Sequence, residues 1–220
     1  MSSGEAADRR LGIVGAGKVG TTIARAALAA GYDVAISGSG SAERIALIVD
    51  VLAPGARAVT TDEVVTFSDL IVLAVPMHRF RELPHDLFNG RILVDAMNYW
   101  EDIDGIDDEL ATAPLGTSVV VQDWFAAARV VKSLNHLGYY EFWEARRSRS
   151  ASGRVALAAA GDDRAAVAAV MQLIDRLGFD AVDAGPLAAG LTLQPDGPVF
   201  GVAHTVGELS ELLWSEASSA

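Results

Sequence analysis

The residues best placed to do chemistry in this chain are three glycines. They sit in Gly15-Ala-Gly-Lys-Val-Gly20, directly after the apolar run Leu11-Gly-Ile-Val14 and before a helix-like run from Val19 to Ala30. A strand that feeds such a turn and then a helix makes a cradle for the pyrophosphate of a dinucleotide. Gly15 permits the sharp exit from the strand, Gly17 lets the backbone approach the phosphates, and Gly20 lets the helix pack against the sheet. The free N–H groups and positive end of that helix then face the phosphates. Lys18 either adds charge near them or is a solvated lysine at a helix start.

The end of the next strand reads the ribose. Tyr32 to Ser37 is strand-like and runs into Gly38-Ser-Gly-Ser41. An NAD site places a carboxylate here, roughly 20 residues past the glycine turn, to accept from the 2′-hydroxyl. Asp33 lies at the wrong end of the strand, and the position is held instead by Ser37, Ser39, Gly40 and Ser41, with Arg44 nearby. Hydroxyls, bare N–H groups and a cation welcome a 2′-phosphate, so NADP is expected rather than NAD. The same serines would also make a flexible turn and cap a helix.

No Ser/His/Asp arrangement or metal-ligand spacing is present, and the four histidines are scattered. Hydride transfer from a nicotinamide cofactor needs neither, because the cofactor carries the chemistry. Asn135 and His136 follow a strand end and are the candidates for contact with an acceptor, or for a structural polar role. His78 and Arg79 follow the strand end Leu73-Ala-Val-Pro76, where they reach a cofactor phosphate or start a solvated helix. The basic run from Arg146 to Arg154 reads as an anion clamp or as a solvated loop. Trp100, Tyr139, Tyr140, Phe142 and Trp143 would stack on an acceptor ring or pack in a core or dimer seam.

These residues need a scaffold, and the pattern supplies one. Strands at Leu11–Val14, Tyr32–Ser37, Ala58–Thr60, Asp69–Val75 and Arg91–Asp95 alternate with helices, which predicts an α/β, doubly wound, mostly parallel Rossmann-type sheet. Further on, the pattern predicts a helix over 117–127, a strand over 129–134, and strand, helix and strand over 155–159, 163–177 and 180–182. A closing helix over 200–215 carries the stripe Val202, Val206, Leu209 and Leu213, which suits core or dimer packing. We expect a disordered lead-in over 1–10, a nucleotide-binding domain over 11–184 with later strands extending its sheet, and a small helical portion over 185–220. The chain has 220 residues, 51% of them hydrophobic, a net charge of −12 and no cysteine. That charge argues against nucleic acid and anionic membranes as partners. The absence of cysteine removes disulfides and thiolate chemistry. A cytoplasmic homodimer acting on a small molecule is the expectation.

Four stretches in order resemble the coenzyme F-420-dependent NADP oxidoreductases: Gly15-Ala-Gly-Lys-Val-Gly20; Ser37-Gly-Ser; Leu73-Ala-Val-Pro76; and Gly161-Asp-Asp163 with Asp183-Ala-Gly-Pro-Leu187. The resemblance covers Leu11 to about Leu191. It implies direct hydride transfer between NADPH and a deazaflavin. It implies that Ala16 to Val19 line the pyrophosphate and that Ser39 meets the 2′-phosphate. It further implies that Val75, Pro76 and Met77 lie along the cofactor, with Met97 and Asn98 near the nicotinamide. The family's basic residue after the strand-end serine is Gly40 here, which leaves Arg44 as the cation. Flavins, metal chelates and small imines are alternative acceptors, and a non-catalytic NADP(H)-binding redox sensor is an alternative of another class.

Overall fold

A computed structural model describes residues 9–217. Eight strands form one sheet in the order β3-β2-β1-β4-β5-β6-β7-β8. They are β1 (Arg10–Val14), β2 (Asp33–Ser37), β3 (Arg57–Ala58), β4 (Leu70–Leu73), β5 (Ile92–Asp95), β6 (Arg129–Ser133), β7 (Ala156–Gly161) and β8 (Asp180–Gly185). Strands β1 to β6 run parallel, β7 is antiparallel to β6, and β8 is parallel to β7. The helices are α1 (Lys18–Ala29), α2 (Ala42–Leu52), α3 (Thr61–Phe67), α4 (Glu101–Asp104), α5 (Asp108–Ala111), α6 (Thr117–Trp124), α7 (Tyr139–Ala145), α8 (Arg164–Leu177) and α9 (Val206–Ala217), with 3₁₀ turns at Met77–Glu82, His85–Phe88 and Leu187–Leu193. This is the α/β, mostly parallel Rossmann-type sheet that the alternating pattern predicts. Most of the lead-in expected over 1–10 lies outside the described residues, and Arg10 already opens β1.

The parallel strands are buried on both sides, so they read as continuous apolar runs. Ile13, Val34, Val72, Val94 and Val131 pack on one side with α1 and α8, through Ile23, Ala27, Val170 and Ile174. Leu73, Leu93 and Val130 pack on the other with Phe80, Val121 and Phe125. A third cluster joins Ala156 and Ala158 of β7 to Leu193, Val199, Leu209 and Leu213.

Several boundaries differ from the sequence reading, each for a local reason. The helix expected to 127 ends at Trp124 because the Gln122 side chain captures the next backbone groups. Its amide donates to the Phe125 and Ala128 carbonyls (3.2 and 3.1 Å) and accepts from Val130 N–H at 3.0 Å, launching β6. The closing helix starts at Val206, not 200. Thr205 and Glu208 form a reciprocal cap there, while Ala156 N–H bonds the His204 carbonyl at 2.8 Å. Leu209 and Leu213 of the expected stripe are buried, whereas Val202 and Val206 are exposed.

The two most specific stretches of the family resemblance meet in space. Asp163 caps α8, accepting from Ala166 N–H at 2.8 Å, and Asp162 accepts from Leu187 N–H at 2.9 Å. Asp183 accepts from Gly185 N–H at 2.8 Å. Asp162 therefore ties the end of β7 to the turn after β8, while Asp163 and Asp183 fix their own turns. Replacing Asp163 by Ala leaves an orphan donor at the start of α8 and should cost about 1 kcal/mol. In a chain of this size that lowers the thermal midpoint by about 2–4 °C, checked by a calorimetric melt.

Candidate functional site

Strand order reverses on either side of β1, and the crevice of a doubly wound sheet opens at such a point, beyond the carboxyl ends of its strands. A cavity of about 460 Å³ lies there. The glycine turn forms one wall through Gly15, Ala16 and Gly17. Its geometry divides the work of the three glycines. Gly15 has φ +122°, and a Cβ on it would lie 2.3 Å from the Ala74 carbonyl oxygen. A Cβ on Gly20 would lie 1.8 Å from the Gly15 carbonyl oxygen, whereas one on Gly17 meets nothing within 4 Å. Gly17 is the N-cap of α1, and no side chain caps that end. The first-turn N–H groups are thus left to an anion.

The loop after β2 forms a second wall through Gly38, Ser39 and Gly40. Arg44 folds back over it, since a Cβ on Gly40 would lie 3.1 Å from its Nη1. Among the described residues Arg44 has no carboxylate partner. Ser37 is buried at the strand end, its hydroxyl 3.2 Å from that of Thr61. Ser41 is the N-cap residue of α2 and stays outside the cavity lining.

The third wall is the segment after β4. Val75 and Pro76 line the cavity with Arg79 and Glu82. Arg79 donates from Nε and Nη2 to the Glu82 carboxylate at 3.0 and 2.6 Å. That hydrogen bond holds the Glu82 carboxyl below the ordinary glutamate value and raises the guanidinium. Met77 does not join this wall, because its side chain is buried among Leu73 and Phe80. His78 bonds Asp104 through Nδ1 at 2.8 Å and is turned away from the cavity. Lys18 leaves the cavity too: it lies 5.4 Å from the Tyr139 ring, in the groove between α1 and α7. Val19 is half-buried against the core.

Beyond Val75 the ends of β5 and β6 carry the remaining candidates. Asn98 and Asn135 bond reciprocally: Asn98 Nδ2 donates to the Asn135 carbonyl and Asn135 Nδ2 to Asn98 Oδ1, both at 2.9 Å. Asn135 Nδ2 also donates to the Leu193 carbonyl at 2.6 Å. Met97 is buried beside this pair, with its backbone held by Asp95.

His136 requires a correction. Its ring is buried, and Nε2 accepts from Ala158 N–H at 3.3 Å, which leaves Nδ1 to donate toward Asn135 Oδ1 at 3.5 Å. Burial, then the nearby Lys132 and His204, push its pKa down to about 3. A ring held neutral with both nitrogens engaged is no proton donor near neutrality; it ties the end of β6 to β7.

The basic run is not an anion clamp at this cleft. Arg146 donates to the Leu177 carbonyl (2.8 Å) and the Ala26 carbonyl (3.2 Å), Arg149 pairs with Asp175, and buried Arg154 meets Asp175 at 3.1 Å and Asp180 at 3.2 Å. Ala26 lies two turns along α1 from the glycine turn, so these cations fasten the end of α8 instead. Of the aromatics, Phe142 packs on Phe179 at 4.7 Å, Trp143 lies under Arg25 at 3.6 Å, and Trp100 meets Phe200 at 5.7 Å.

Sequence reasoning missed Thr61, Ile45 and Glu82 as cavity residues. Thr61 carried a usable signal, because a hydroxyl at the start of the helix after β3 faces the end of β2. Glu82 carried none.

Comparison with known proteins agrees with this geometry. The model of a family described as NADP oxidoreductase, coenzyme F420-dependent, matches residues 10–99. No curated protein matches the chain in sequence. Among solved structures, a hypothetical protein from Sinorhizobium meliloti is 26% identical with a TM-score of 0.75, covering 89% of this chain and 94% of that one. A structure described as a putative F420-dependent NADP reductase from Arthrobacter sp. FB24 is 22% identical with a TM-score of 0.68, covering 95% and 91%. An imine reductase from Pseudomonas sp. shares the fold at 16% identity and a TM-score of 0.52, covering 96% of this chain and 62% of that one. Among the described residues no helix is long and apolar enough to cross a membrane. The matched residues 10–99 hold the glycine turn, the serine loop and the strand ends around the cavity, so the likeness to the coenzyme F420-dependent NADP oxidoreductases falls on the candidate nucleotide site of a chain with a Rossmann-type fold.

Proposed function

We propose that this chain is a reductase that draws hydride from NADPH and passes it to a flat, deazaflavin-type ring stacked on the nicotinamide. The observation that carries the nucleotide half is the open space over Gly17 beside an uncapped helix start, a cradle that a single Cβ would intrude upon. Ala16 and Gly17 would hold the pyrophosphate. Ser39, the Gly40 N–H and Arg44 would take the 2′-phosphate, with no carboxylate at the end of β2 to repel it. Val75 and Pro76 would run along the cofactor toward Asn98. When bound, the dihydronicotinamide supplies the hydride, and the protein sets ring distance, angle and dryness. Support for a ring acceptor is chemical. His136, the candidate acid at the strand ends, is held neutral, as suits a transfer that needs no proton from the protein in its main step.

The test mixes the protein with NADPH and a panel of deazaflavin, flavin and imine acceptors and follows absorbance. Bleaching of the deazaflavin with NADPH, and at least about tenfold weaker kcat/KM with NADH, is the expected result; that ratio is about 1.4 kcal/mol of preference for the 2′-phosphate. Reduction of only a flavin or an imine would move the assignment to that acceptor. Tight NADPH binding with no turnover on any acceptor would favour a redox sensor.

A further inference from the structure

Beneath the ends of β5 and β6 lies an ion pair that neither the cofactor nor the acceptor reading uses. Lys132 and Asp95 are both fully buried, with Nζ 3.3 Å from Oδ2. The ammonium also donates to the Met97 carbonyl. Asp95 accepts from Met97 N–H at 3.0 Å through Oδ1 and from the Ser118 hydroxyl at 2.6 Å through Oδ2. Met97 is therefore gripped at both of its backbone polar groups by one pair.

The surroundings are shaped to keep the pair there. A Cβ on Gly190 would lie 2.9 Å from Cβ and 3.0 Å from Cγ of Lys132, so the lysine stem fills room that only glycine leaves. Two residues on, buried Leu134 takes φ +62°, a left-handed conformation that costs a side-chain-bearing residue about 1–2 kcal/mol. That bend carries the chain from Lys132 in β6 out to Asn135, which then bonds Asn98 and the Leu193 carbonyl. Three segments, after β5, after β6 and at the end of the last 3₁₀ turn, are fixed to one another above the buried charges. A buried ion pair is a poor way to gain stability, since apolar replacements of similar volume often do as well or better. Its worth here is geometric.

We propose that Lys132 and Asp95 are positioning residues: they fix the Met97–Asn98 backbone and, through Asn98, the Asn135 loop, as a rigid seat for the nicotinamide end of the cofactor. This rests on the reading that NADP(H) binds with its nicotinamide at these strand ends.

The test compares NADPH with 2′-phospho-ADP-ribose, the same ligand without nicotinamide. The Asp95→Asn/Lys132→Met double variant removes both charges together and keeps an acceptor for Met97 N–H. It should bind 2′-phospho-ADP-ribose within about twofold of wild type and NADPH about tenfold more weakly. The fluorescence anisotropy of the bound dihydronicotinamide should fall. Should the double variant fail to fold, Ser118→Ala loosens Asp95 without orphaning a charge. It should show the same selective loss at about threefold, about 0.7 kcal/mol by the same conversion. Equal weakening of both ligands, or of neither, overturns the proposal. A wild-type protein that binds 2′-phospho-ADP-ribose as tightly as NADPH, with the dihydronicotinamide freely tumbling, refutes the seat itself. A wild-type protein that binds neither refutes the proposed nucleotide function.

Discussion

Gly17→Ala should leave the fold intact and cripple the nucleotide site, whereas Gly20→Ala should damage both. In the ligand-free turn nothing stands within 4 Å of a Cβ on Gly17, and its φ of −81° suits any residue. The only structural loss is the poorer N-cap, under about 1 kcal/mol. Yet that methyl would stand where the backbone must approach the pyrophosphate, so NADPH affinity should fall at least about tenfold, or 1.4 kcal/mol. At Gly20 the added methyl would sit 1.8 Å from the carbonyl oxygen and 3.0 Å from the carbonyl carbon of Gly15. Those are backbone atoms, so either α1 lifts off the sheet or the turn opens. The cost should be about 3 kcal/mol, with cofactor affinity lost alongside. Urea midpoints and NADPH fluorescence titrations on the two variants separate the effects. A Gly17→Ala protein that binds NADPH as tightly as wild type would remove the turn from the nucleotide site.

That contrast also shows what kind of information a sequence carries. The sheet was legible because its signals are local: buried parallel strands are apolar runs such as Leu70-Ile-Val-Leu73, and each is separated from the next by turn residues or a helix. The glycine turn was legible for the same reason. The serine loop was legible as a chemical preference, because what matters there is the absence of a carboxylate at one place. Residues whose roles depend on distant partners were not legible. Lys132 reads as one more residue of a strand, and only its meeting with Asp95, 37 positions earlier, makes it a buried pair. Asn98 and Asn135 are the same distance apart. The basic run reads as free charge for an anionic ligand because Asp175 and Asp180 lie 21 to 26 positions beyond Arg149 and Arg154 and are silent until α8 and β8 bring them back. His136 stands at a strand end in the sequence, but its environment is set by β7, which arrives later in the chain.

The acid sensitivity of the protein should come in large part from His136. Its folded pKa of about 3 lies below the ordinary value of 6.5 that the unfolded chain restores. Between those values the unfolded state binds a proton that the folded state refuses, so unfolding gains free energy as pH falls. The stability contributed by the neutral ring is fully present above pH 6.5 and is lost progressively as pH drops toward 3. At about 1.4 kcal/mol per unit, moving from pH 7 to about pH 4.5 should cost wild type about 3 kcal/mol through this one ring. His136→Gln keeps an acceptor within reach of Ala158 N–H and cannot titrate. It should be somewhat less stable at pH 7, yet lose about 3 kcal/mol less than wild type between the two pH values. Asp175, held low by its hydrogen bond to Arg149, also weakens in acid, but it does so equally in both proteins and cancels in the comparison. Urea unfolding at the two pH values measures that difference. Parallel losses in the two proteins would mean that the ring takes up its proton in the folded state, in the pocket between Lys132 and His204, and would restore His136 as a group able to exchange a proton near the strand ends.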